Sequence, residues 1–129
     1  MTTDLWMLVF AVLLQWGLIL GAATPKLLAN GLGWAFGNRE TEGVEIPDWA
    51  QRVQRTSDNM AENLVLFAAL VLVAHVSGEA DDLSARGAQV FLGARVIHAI
   101  IYAVGIPVGR TIAWAVSLVG LGMIIAALV

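Results

Sequence analysis

The residues of this chain that could do chemistry are polar side chains spaced as they would be along one face of a helix. Intervals of three and four residues place side chains on a common helical face. One such stripe holds Arg55, Asn59 and Glu62, a second holds Arg95, His98 and Tyr102, and Arg110 and Thr111 follow after a short Gly- and Pro-containing stretch. Three arginines with one glutamate leave an excess of positive charge, which suits a ligand that carries several negative charges.

A structural explanation for these charges is also open. Arg55 or Arg95 could pair with Glu62 and hold two helices together. One pair would satisfy that need, and the remaining cations favour a ligand site. The chain has no cysteine, and His75 and His98 stand too far apart to share a metal ion, so we expect no metal site. The net charge of −3 argues against binding to nucleic acid.

The segments that must position these residues are membrane-spanning helices. Apolar residues make up 59% of the chain, charged residues only 13%, and the mean hydropathy is +0.80, well above the values of soluble domains. About 20 apolar residues span a bilayer as a helix. The pattern predicts a single all-α domain over residues 1–129 with helices at about 5–29, 57–77, 85–104 and 108–128, joined by a long loop at about 30–56 and two short ones.

The distribution of basic residues predicts the orientation. Lys26, Arg39, Arg52 and Arg55 lie in or beside the first loop, whereas the second loop has only Arg86 beside acidic residues. Cytoplasmic loops carry the excess of Lys and Arg. We therefore expect the first and third loops to be cytoplasmic, both termini to be on the other side, and both polar stripes to share one leaflet.

The first apolar segment has an alternative interpretation as a cleaved signal peptide. The residues ahead of it carry an aspartate and no Lys or Arg, which is the wrong charge for such a peptide. We expect a retained transmembrane helix.

The ordered set Arg55-x-x-x-Asn59-x-x-Glu62, Arg95-x-x-His98-x-x-x-Tyr102 and Arg110-Thr111 resembles the MAPEG family, the membrane-associated proteins of eicosanoid and glutathione metabolism. The stretch from Asp58 to Phe67 is most similar to the bacterial branch of the family, including its microsomal-type glutathione transferases. The resemblance implies a left-handed four-helix bundle, up-down-up-down, that assembles as a homotrimer. It also implies a bacterial inner membrane location, with the site facing the cytoplasm.

The resemblance further implies a glutathione-dependent transferase or peroxidase that acts on lipophilic substrates from the bilayer, in contact with membrane lipids. Arg110 would stabilise the glutathione thiolate, with the Thr111 hydroxyl near the sulfur. Arg95 would support the pocket by pairing with an acidic side chain. Glutathione itself would be held by Arg55, Asn59, Glu62, His98 and Tyr102.

Two positions depart from the family pattern. Asn30 stands where several members have an arginine near the end of the first helix, and Asp58 stands where the prostaglandin synthase has another. Both changes make the site less cationic. A non-catalytic trimer that binds lipid or a partner protein is therefore the second hypothesis. A proton-linked carrier that uses Glu62 and His98 is the third, although the predicted polar cluster stays within one leaflet.

Overall fold

The computed structural model describes residues 1–38 and 43–129 and contains four helices. They are α1 (Thr3–Phe36), α2 (Asp48–Ser77), α3 (Asp82–Val104) and α4 (Pro107–Ala127). Each is long and apolar enough to cross a membrane, and the described part of the chain contains no strand. The prediction of an all-α, multi-pass membrane protein is confirmed.

The first two helices are longer than the sequence pattern predicts. α1 continues past Pro25, as expected, but ends at Phe36, and α2 starts at Asp48 rather than near residue 57. The connection therefore spans 37–47 instead of 30–56. Pro47 precedes α2, and the first turns of that helix are polar, so an apolar pattern reveals only the part of the helix that follows them. Arg39, counted above for the orientation, lies outside the described residues.

A break interrupts α1 close to its end. Gly31 adopts φ 82° and ψ 170°, a conformation that is essentially restricted to glycine. The helical segment after Gly31 consequently leaves the axis of the long segment before it. This break sets the position of Trp34.

The remaining connections are short. Gly78 and Gly105 have positive φ and close the ends of α2 and α3. Asp81 and Ser84 form a reciprocal capping box at the start of α3, and Pro107 occupies the first turn of α4. The predicted tight turn between the last two helices is present.

The closest helix contact joins α3 and α4. A β-carbon added to Gly120 would lie 2.6 Å from the backbone nitrogen of Phe91, and one added to Gly87 would lie 2.7 Å from the Gly120 carbonyl oxygen. The Phe91 ring stacks on Phe67 of α2 with centroids 4.1 Å apart. Small residues that let backbones approach are typical of helix packing in membranes.

Polar pairs join α1 to α2 along the antiparallel contact. Asp4 lies 3.8 Å from His75 at one end, Gln15 donates to the Ser57 hydroxyl at 3.3 Å, and Lys26 donates to the Gln54 side-chain oxygen at 2.5 Å at the other end. These pairs fix the register of the two helices.

Candidate functional site

A cavity of about 180 Å³ opens where α2, α3 and α4 meet, close to the turn between α3 and α4. It is lined by side chains from all three helices, namely Asn59, His98, Tyr102, Arg110, Thr111 and Trp114. Five of these are residues that the sequence predicts for the site. The structure therefore brings most of the predicted residues to one place within a single protomer.

Arg95 forms the buried support of this cavity. Its side chain is only 1% exposed, and one terminal nitrogen donates to the Asn59 side-chain oxygen at 2.6 Å. Such charge-assisted hydrogen bonds are short and strong. The resemblance implies an acidic partner for Arg95, whereas the partner within the protomer is the amide of Asn59. Glu62, one turn further along α2, is exposed on the surface of the protomer.

Aromatic contacts position the Arg110 guanidinium. Its central carbon lies 4.6 Å from the centroid of the Tyr102 ring, within the range of a cation–π interaction. Tyr102 in turn meets the His98 ring edge to face, with centroids 5.5 Å apart. The spacing of Tyr102 near the end of α3 and Arg110 in the early part of α4 makes this contact possible across the tight turn.

Besides the buried Arg95, two predicted residues, Arg55 and Glu62, do not line the cavity. Both are exposed, although they share a helical stripe with Asn59. A stripe covers a wide angle of the helix surface, and only its middle member faces α3. Within one protomer these two charges therefore face away from the cavity.

The Thr111 hydroxyl donates to the Pro107 carbonyl at 3.3 Å, a bond within the first turns of α4. Thr111 nevertheless lies at the cavity wall beside Arg110. Asn30, which replaces an arginine of the family pattern, bonds to the Lys26 carbonyl at 2.9 Å and accepts a hydrogen bond from the Val44 backbone. It therefore fastens the connection between α1 and α2 to α1.

Sequence reasoning missed two contributors. Trp114 lines the cavity, and its spacing of four residues from Arg110 was the available signal. Arg52 donates from its Nε to the Ala103 carbonyl at 3.1 Å and thereby fastens α2 to the end of α3. The sequence offers no sign of that contact, because it joins residues far apart in the chain.

The site has the character of an anion-binding pocket. No carboxylate belongs to the cavity lining given above, and Arg110 is its cation. The buried donor nitrogens Nε and Nη1 of Arg95 have no hydrogen-bond partner in the described part of the chain, and neither has the buried Nδ1 of His98. A buried polar atom without a partner is costly. The arrangement can therefore stabilise negative charge, as a carboxylate or as a thiolate.

Comparison with known proteins identifies one family. A sequence model described as the MAPEG family matches residues 5–129, essentially the whole chain. No curated protein and no solved structure matches this chain.

Proposed function

This chain belongs to the MAPEG family, and we propose that it is a membrane-bound, glutathione-dependent transferase or peroxidase in which Arg110 stabilises the glutathione thiolate. The family includes glutathione transferases and peroxidases, and its members generally use glutathione. The observation that carries the proposal is the Arg110 guanidinium, held on the Tyr102 ring at the wall of a cavity where no carboxylate lies among the described lining residues.

The proposed chemistry follows from the charge of that cavity. A free thiol has a pKa near 8.5, and an adjacent guanidinium in a site with little water favours its deprotonated form. The thiolate can form a carbon–sulfur bond with a lipophilic electrophile, expelling a leaving group or opening a ring. With a peroxide, two glutathione molecules would supply two electrons, giving an alcohol, water and glutathione disulfide.

The ligand of this site is larger than the cavity of one protomer. Pockets for drug-sized molecules have volumes of about 300–1,000 Å³, whereas this cavity measures 180 Å³. In the proposed arrangement Asn59, His98 and Tyr102 hold one part of glutathione, with Arg95 behind them. Arg55 and Glu62 contact its charged ends where a second copy meets this one.

Exposure of Glu62 supports such an assembly. A charged side chain within a transmembrane helix costs about 2.5–3.5 kcal/mol when it faces the hydrocarbon. A neighbouring copy, with glutathione between the two, would cover this carboxylate. The proposed homotrimer, which is common in the family, supplies that neighbour.

Replacement of Arg110 by alanine tests the proposal. We expect turnover with a model electrophile to fall by about 10²- to 10³-fold, the usual effect of removing one group that stabilises developing negative charge. Ultraviolet difference absorption should show thiolate formation when glutathione meets the purified protein, and this signal should be lost in Arg110→Ala. Arg86→Ala, on an exposed residue at the start of α3, is the matched control. Absence of glutathione binding to the unaltered protein in a direct titration would exclude this function.

A non-catalytic trimer that binds lipid or a partner protein is the second candidate. An apolar groove of about 290 Å³ on the outer side of the α3–α4 pair favours it. Its walls include Ile97, Ile101 and Ile112. This candidate predicts lipid bound in the groove and no thiolate absorption on addition of glutathione.

A further inference from the structure

The end of α3 carries a backbone carbonyl that the chain cannot satisfy by continuing the helix. The carbonyl oxygens of Ile101 and Tyr102 accept hydrogen bonds from backbone N–H groups of the turn after α3. In a continued helix, the donor to the Ala103 carbonyl would be residue 107, which is a proline and has no N–H group. A side chain or solvent must therefore supply the donor for this carbonyl.

Arg52, near the start of α2, supplies that donor. Its Nε donates to the Ala103 carbonyl oxygen at 3.1 Å. A β-carbon built on Gly105 would lie 3.5 Å from both Nε and Cζ of Arg52, so the guanidinium lies directly against the turn. The dipole of α3 also favours a positive charge at this end of the helix. Arg52 therefore ties α2 to the turn through a hydrogen bond and through close contact.

The turn that Arg52 contacts separates the two partners of the cation–π contact in the candidate site. Tyr102 comes directly before Ala103, and Arg110 lies in the first turn of α4. The guanidinium of Arg110 lies 4.6 Å from the centre of the Tyr102 ring because α4 leaves the turn in one particular direction. The close contact of α3 with α4 at Gly87 is about 22 Å from Tyr102 along α3, at a rise of about 1.5 Å per residue. That contact holds the two helices together, but it does not fix their geometry at the turn.

We propose that Arg52 is a positioning residue, which holds the turn between α3 and α4 so that the Arg110 guanidinium stays on the Tyr102 ring. Arg52 does not line the cavity, so it acts through the turn and not on the ligand. Its effect on the reaction rests on the proposed function, in which Arg110 stabilises the glutathione thiolate. Misplacement of a group at a reaction centre by about 1 Å can reduce the rate by about 10²-fold.

Tyr102 is the single tyrosine of the chain and therefore gives a direct probe of this geometry. Fluorotyrosine incorporated into the full chain, purified in detergent, gives a fluorine resonance that reports on this ring alone. Arg110→Ala removes the cation from the ring and marks the resonance position of a lost contact. We expect Arg52→Met to move the resonance towards that position. Arg52→Lys keeps a donor and the charge, so its resonance should stay near that of the unaltered protein.

Glutathione chemistry gives a second measurement, on the unlabelled protein. Arg52→Met should lower kcat with a model electrophile by about tenfold, while KM for glutathione changes little. The pH at which thiolate absorption reaches half of its maximum should rise by about one unit, because a displaced cation favours the thiolate less. Arg52→Lys should recover most of both signals. Arg86→Gln, an exposed change near the other end of α3, should alter neither.

Several results would overturn the proposal. An unchanged fluorine resonance in Arg52→Met, or in Arg110→Ala, would show that Arg52 does not hold this contact. A lower midpoint of thermal unfolding, with the resonance and the thiolate signal unchanged, would leave Arg52 a structural role only. A shifted resonance with unaltered turnover would remove Arg52 from the reaction. If the resonance shifts but the unaltered protein forms no thiolate, the proposed function fails and the positioning of Arg110 by Arg52 stands.

Discussion

Substitution of Asn59 by leucine removes the hydrogen-bond partner that the protomer offers to a buried guanidinium. Arg95 is 1% exposed, and its bond of 2.6 Å to Asn59 is the only one that the described residues give to its side chain. Hydrogen bonds to charged groups contribute about 1.5–3 kcal/mol, and loss of one partner of a buried pair can cost about 3–5 kcal/mol. We therefore expect Asn59→Leu to lower the free energy of unfolding by about 2–4 kcal/mol.

A double-mutant cycle separates this interaction from simple packing. Arg95→Met removes the charge that needs a partner, so Asn59→Leu should cost much less in its presence, with a coupling energy of about 1–3 kcal/mol. The assay is thermal or denaturant-induced unfolding in detergent micelles, followed by circular dichroism. Arg86→Gln, an exposed change at the start of α3, is the control. If Asn59→Leu costs no more than Arg86→Gln, or if the effects of Asn59→Leu and Arg95→Met are additive, Arg95 does not depend on Asn59.

Two further predictions concern the helix packing and the candidate site. Gly120→Ala should destabilise the protein by about 1–3 kcal/mol, because the new methyl group would meet the Phe91 backbone at 2.6 Å. Gly122→Ala should be close to neutral in the same unfolding assay, because a β-carbon added there would meet no atom within 4 Å. Tyr102→Leu should reduce thiolate absorption and turnover by about tenfold, because Arg110 loses the ring that positions it, a contact worth about 0.5–2 kcal/mol. Tyr102→Phe should retain most of both signals, and an equal loss in both variants would assign the effect to the hydroxyl group.

Hydropathy predicted four membrane-spanning helices, because about 20 apolar residues in a row have few alternatives to crossing a bilayer. It placed the start of α2 too late, because Gln51, Arg52 and Arg55 extend the helix beyond the apolar part. It also left the break at Gly31 unpredicted. A single glycine among several carries no local sign that it will adopt a positive φ.

Helical spacing predicted the candidate site less evenly. It placed His98 and Tyr102 together on α3, and both line the cavity. On α2 it grouped Arg55 and Glu62 with Asn59, but of these three residues only Asn59 lines the cavity. Spacing along one helix does not determine which neighbouring helix each residue faces. The partner of Arg95 depends on the register between α2 and α3, which no local pattern contains.

The bond between Asn59 and Arg95 also bears on how the chain enters the membrane during synthesis. An arginine within an isolated transmembrane helix opposes insertion by about 2.5–3.5 kcal/mol. Asn59 is synthesised before Arg95, and only a short connection separates the end of α2 from the start of α3. The α2–α3 hairpin, rather than α3 alone, is therefore the unit in which this charge can be accommodated as it leaves the translocation channel.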